Sequence, residues 1–142
     1  MKKYILGLIM CGVVFSMNAS VLSKPEACPT VEMLKQVGVK HFLANGNVWI
    51  AWNKDKFNTK HAWFFATSIL NASSGDEAAY QIKAVLNDMQ PVEDNIPKPS
   101  SEGGWECKYL NMTTYDAAIS ITPAPIMQEV FRKLRLGYHP SV

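Results

Sequence analysis

Val48, Ile50 and Trp52 fall on one side of an extended strand and Trp49 and Ala51 on the other, so neither side of the run 47–53 is polar. A strand alternates its side chains between two faces, and one that is apolar on both calls for cover on both. The run His61–Leu70 repeats the pattern, with Trp63, Phe65 and Ile69 on one face and Phe64 and Leu70 on the other. Aromatic side chains stand well on a pleated surface, which favours strand over helix here. Upstream, Asn45-Gly46 is the pair favoured at both positive-φ positions of a type I′ turn, and it predicts a hairpin between Val39–Ala44 and Asn47–Asn53. These strands are expected at the centre of a sheet, where they carry most of the core.

Helix signals flank them. Ser74 followed three residues later by Glu77 is a capping box, and Asp76 adds negative charge to the first turn. Ala78, Ile82, Val85 and Met89 then make one apolar stripe, which predicts a helix over Ser74–Met89 with Pro91 beyond its end. A shorter helix follows Pro29, with Val31, Leu34 and Val37 on one face and Gly38 as its stop. Residues 126–136 predict a third, with Ile126, Val130, Phe131 and Leu134 on its apolar face and Arg132, Lys133 and Arg135 toward the negative end of the dipole. Trp105, Cys107 and Tyr109 alternate with Glu106 and Lys108 as a half-exposed strand, and residues 117–122 form a fifth. Gln90–Gly104, with Pro91, Pro97, Pro99 and Gly103-Gly104, reads as a long surface loop. The order α-β-β-β-α-β-β-α predicts an α+β fold, an antiparallel sheet of about five strands with helices packed on one side.

At 142 residues the chain suits one domain. Residues 1–19 read as a signal peptide: Lys2 and Lys3 precede the apolar run Tyr4–Phe15, and the cut falls after Ala19. The domain is then residues 20–142, secreted or periplasmic. The apolar run is short for a bilayer span, so no stable membrane anchor is expected after cleavage. Leu8-Ile9-Met10-Cys11 has the outline of a lipobox, but Met10 is not the small residue that lipid attachment wants, which leaves Cys11 a member of the signal core. Lys2 and Lys3 also account for the excess of 14 basic over 12 acidic residues, so the mature chain has no formal net charge. That argues against a nucleic-acid partner. Cys28 and Cys107 remain, an even number in an oxidising compartment. A disulfide between them ties the first helix to the fourth strand, and the chain-entropy model gives it up to about 4.5 kcal/mol.

Little catalytic chemistry is legible. His41, His61 and His139 form no metal-ligand motif, so neither a metal nor a cofactor is expected. No G-x-S-x-G elbow and no phosphate-cradling glycine loop occur. A small hydrolase would pair His61 with a carboxylate such as Asp55 or Asp116, and a two-carboxylate site would draw on Glu102, Glu106 and Asp116. A periplasmic inhibitor or envelope-associated protein would present the loop Gln90–Gly104. The favoured reading is an exported non-enzymatic binding module or secreted effector. Its candidate surface is Trp49, His61, Trp63 and Trp105, aimed at a protein or carbohydrate partner.

The leader, Cys28-Pro29, Val48-Trp49-Ile50-Ala51-Trp52, the Ser74-Gly75-Asp76-Glu77 helix start and Gly104-Trp105-Glu106-Cys107 together carry a resemblance. They resemble an uncharacterised family of small exported proteins of intracellular gamma-proteobacterial pathogens. The resemblance covers most of the mature chain and implies export, by a type II secretion route, with action in a host. It assigns no functional residue.

Overall fold

The hairpin forms one residue later than the Asn-Gly pair suggests. In the computed structural model β1 (His41–Asn45) and β2 (Val48–Asp55) pair with Asn45 opposite Val48, so the turn residues are Gly46 and Asn47. Gly46 has φ 64° and Asn47 is not left-handed, which is the glycine-first arrangement of a type II′ turn. The structure describes residues 23–136 apart from 71, 93 and 102, with the backbone alone at 135 and 136. The signal peptide with its cut after Ala19, Cys11, Glu102 and His139 lie outside the described residues.

β2 pairs with β3 (Trp63–Ile69), in which every residue is buried. The sheet then continues through β7 (Ala117–Thr122), β6 (Trp105–Asn111) and β4 (Met89–Pro91), all antiparallel, and β5 (Lys98–Pro99) also lies against β6. The sheet therefore has seven strands rather than about five. The two extra strands come from the segment read as helix end and surface loop. Each is too short to show a two-residue period, and each ends in a proline, which an edge strand tolerates because that N–H is not needed. The segment is no protruding loop: Pro97 is fully buried and Asn95 bonds back to Cys28. Gly104 closes the β5–β6 connection at φ 77°, so close to β7 that an added Cβ would lie 2.4 Å from the Thr122 carbonyl oxygen.

Helices cover both faces of the sheet, not one. On the first face α1 (Val31–Val37) and α2 (Gly75–Asn87) bring Leu34, Ala78, Ile82, Val85 and Leu86 onto Ala51, Trp63, Phe65, Ile69 and Tyr109. On the second, α3 (Met127–Leu136) sets Val130 and Leu134 over Ile50, Phe64, Ala66, Ala117, Ile119 and Ile121. The strands' two-sided apolar pattern requires this second layer. Ser74 caps α2 as expected, its Oγ accepting from the Glu77 N–H at 3.2 Å while the Glu77 carboxylate accepts from the Ser73 N–H at 2.8 Å.

Cys28 and Cys107 are bridged, with Cα atoms 5.9 Å apart, so the segment before α1 is fastened to β6. Polar bonds repeat the attachment. Cys28 N donates to the Asn95 carbonyl at 3.2 Å, Asn95 Nδ2 donates to the Cys28 carbonyl at 3.2 Å, and the Tyr109 hydroxyl donates to the Pro29 carbonyl at 2.7 Å. Burial pushes the Tyr109 phenol well above its ordinary range, with the Ser120 hydroxyl offsetting part of the effect.

At the other end of the sheet, Asn111 Oδ1 accepts from the N–H groups of Thr113 and Thr114 at 2.8 and 2.7 Å and folds the β6–β7 turn. Asp116 then joins that turn to β3, accepting from Leu70 N at 3.1 Å and from Thr114 Oγ1 at 2.5 Å. Burial raises the Asp116 carboxyl above its ordinary value of 3.8, and the bonds from Thr114 and Leu70 offset part of that rise.

These anchors set three expectations for stability. The bridge closes a separation of 79 residues. Reduction should therefore lower the unfolding free energy by up to about 4.5 kcal/mol, read from urea titrations with and without reductant. Tyr109→Phe, which orphans the Pro29 carbonyl, should cost about 1–2 kcal/mol in oxidised protein. The native state holds the Asp116 proton more tightly than the unfolded chain. Its contribution to stability is thus full below the unfolded pKa and is lost as pH rises through the raised folded value. Asp116→Asn keeps the oxygen for Leu70, so it should gain stability relative to the parent chain as pH rises above the ordinary carboxylate value of 3.8. A constant difference across that range would show that Asp116 is not perturbed.

Candidate functional site

The four residues proposed from sequence as one surface do not share one. Trp63 has no exposed area, and its Nε1 donates to Thr59 Oγ1 at 3.0 Å, so it is core and not a contact residue. A β3 residue facing α1 and α2 cannot reach a partner. Trp49 is half-buried on the same face, packed at Gly75, where an added Cβ would lie 3.3 Å from its ring carbons. It pairs with Ile69, at the opposite end of β3 from Trp63, a separation of about 20 Å. Trp105 is half-buried with the Lys24 ammonium 5.5 Å from its ring centroid, and His61 is half-buried just ahead of β3.

Of the carboxylates suggested for His61, Asp116 lies far from it and Asp55 is engaged in the turn beside it. Asp116 holds Leu70 N beyond the C-terminal end of β3, the length of the strand away. Asp55 Oδ1 accepts from Phe57 N at 2.9 Å and shapes the β2–β3 turn, in which Phe57 and Asn58 have φ 46° and 57°. Glu106 stands opposite Ile121, near the other end of β7 from Asp116. That is about 15 Å along the strand, well beyond the spacing of a two-carboxylate glycosidase.

A site does emerge on the face that α3 covers. Six strands at about 4.8 Å spacing span about 24 Å, while a helix is only about 10–12 Å wide. Packed over β3 and β7, α3 leaves a groove on either side. The one between α3 and β6 is about 610 Å³. Leu110, Ala117 and Ile119 floor it, Val92 and Pro99 wall one side, and Arg132 and Lys133 of α3 wall the other. The groove on the β2 side is about 310 Å³ and apolar, lined among others by Val48, Ile50, Leu70 and Phe131.

Charge concentrates in the larger groove. Glu106 has 11% of its side chain exposed and is clamped by two ammoniums: Lys133 Nζ at 2.5 Å from Oε2 and Lys108 Nζ at 3.5 Å from Oε1. Lys133 is as buried as its partner, whereas the Lys108 side chain is 59% exposed. Register puts Lys98 opposite Glu106 and so on this same face. Beyond β2, His41 stacks on Trp52 at 4.1 Å and Trp52 on Phe64 at 5.3 Å, a row of rings across three strands.

Sequence reasoning missed this groove because its walls come from four separated segments. Two signals were present. The alternation of Glu106 and Lys108 with Trp105, Cys107 and Tyr109 marks a charged strand face, and the basic residues of 126–136 mark the helix side that meets it. Among the described residues there is no grouping of His, Cys, Asp and Glu suited to a metal ion, and no helix long and apolar enough to cross a membrane. Comparison of the chain with protein-family models, with curated proteins and with solved structures finds no match.

Proposed function

We propose that this is an exported binding module, secreted or periplasmic, that takes a protein or carbohydrate partner on the α3 face of its sheet. One observation carries the reading: the groove of about 610 Å³ between α3 and β6, with an apolar floor and cationic walls. Its size and its mix of apolar lining with a few placed polar groups are those of ligand sites generally. Its one buried carboxylate, Glu106, is neutralised by two lysines, an arrangement that fixes charge and position. Export is supported by the Cys28–Cys107 bridge, since disulfides persist in oxidising compartments, and by the basic-then-apolar leader. The resemblance to small exported proteins of intracellular gamma-proteobacterial pathogens extends the proposal to action in a host, as a secreted effector.

Export is tested by intact mass, with and without thiol alkylation, on protein recovered from periplasm and from medium. The expected species lacks residues 1–19 and two hydrogens and takes up no alkyl group. Full-length material with alkylatable thiols would overturn the export reading. The binding face is tested by a photoreactive residue placed at Leu110 or, on the opposite face, at the exposed Tyr80. Adducts at 110 and not at 80 are expected, and equal labelling or none at 110 would reject this face.

A further inference from the structure

The two flanks of α3 differ in what they offer. On the β6 side the sheet extends about two strand spacings beyond β7, close to 10 Å, which is the width of one more helix. The floor there mixes small with branched side chains, Ala117 beside Leu110 and Ile119, so a second helix can lie beside α3 much as α3 lies against Phe64, Ala66, Ile119 and Ile121. The rim is cationic. Lys108 is an exposed ammonium with one long contact of 3.5 Å to Glu106, and Arg132 lines the same groove.

Resting on the reading of this face as the binding face, we infer that the groove receives an amphipathic helix of a partner protein. Its apolar stripe meets Leu110 and the exposed Val92, above the buried Ala117 and Ile119, and its flanking Asp and Glu residues meet Lys108 and Arg132. The occupant is a different chain from this one. Among the described residues the apolar sides of α1, α2 and α3 are already packed on the sheet, so none of these helices has a stripe to offer the groove. Charge complementarity in a groove of this kind speeds encounter and fixes orientation, while the apolar floor supplies most of the affinity.

The test uses ¹⁵N-labelled, disulfide-bonded protein expressed from the full chain, and three probes. The first is a helical peptide of about 14 residues with Leu on one face and Glu on the other. The others are the same peptide with Lys in place of Glu, and the free fatty acid laurate. The inference expects the Glu peptide to shift the amides of Leu110, Ala117 and Ile119. It also expects Lys108→Glu to weaken that binding by about tenfold or more, added salt to weaken it, and Lys83→Glu on the far side of α2 to leave it unchanged. If the Lys peptide or laurate occupies the groove as well as the Glu peptide does, the acidic helix is wrong while the binding face stands. If no probe moves the groove amides, the inference falls. Absence of labelling at position 110 then removes the binding face as well.

Discussion

The Cys28–Cys107 bridge sets the position of a part of the chain that could not hold itself. α1 has seven residues, too few to be stable alone, and the described residues before it belong to no element. Fastening Cys28 to β6 brings α1 onto the sheet, where Leu34 is buried. The same attachment reaches across the structure. Asn95 bonds Cys28 through both its carbonyl and its side-chain amide, which holds the crossing between β4 and β5 against β6. Val92 and Pro99, at the two ends of that crossing, then form the outer wall of the groove on the opposite face. A small cavity of about 50 Å³ beside the bridge is bordered by Glu106 and Lys108, so the covalent staple and the charged groove share one strand.

β2 and β3 supply the other constraint. Buried on both sides, they separate two apolar layers: one built around Trp63, Phe65 and Tyr109, with edge-to-face rings at 6.1 Å between the last two, and one around Ile50, Phe64 and Ile119. Small residues make the two-sided packing feasible. Ala51, Ala66, Ala78 and Ala118 are all essentially inaccessible and let helix and strand backbones approach closely. Thr67, Ser68 and Ser120 are small polar side chains buried among them, and Ser120 stands opposite Cys107 of β6.

Much of this architecture was legible, and the failures have physical causes. The capping box at Ser74 and the two-sided strands are local patterns, and they reappear as α2, β2 and β3. The hairpin was correct in kind but one residue early, because Gly46 alone takes the positive φ and strand pairing extends to Asn45. β4 and β5 were invisible: three and two residues carry no period, and their strand character comes only from the edge of β6 that they complete. Trp63 was assigned to a surface because a tryptophan in a strand signals burial and contact equally well, and which face meets a helix is a tertiary fact. The two-sided pattern of β2 already demanded cover on both faces, so placing every helix on one side conflicted with it.

The groove depends finally on where α3 sits, and the Glu106–Lys133 pair governs that. Val130 and Leu134 attach α3 to the sheet, but apolar contact is non-directional and leaves a helix free to slide along a flat face. An ion pair with both side chains nearly buried is not mainly a source of stability, because desolvating the charges offsets much of their attraction. It is selective in another way: displacing α3 would take the nearer ammonium from a nearly buried carboxylate and leave it only the longer contact to Lys108. The pair thus locks α3 against β6 at the end where Lys108 provides the second cation. Locking fixes the groove's width and keeps Arg132 on its wall. A groove whose width is set by a fixed pair needs no ordering to keep its shape, and on this face the clamp around Glu106 sets it.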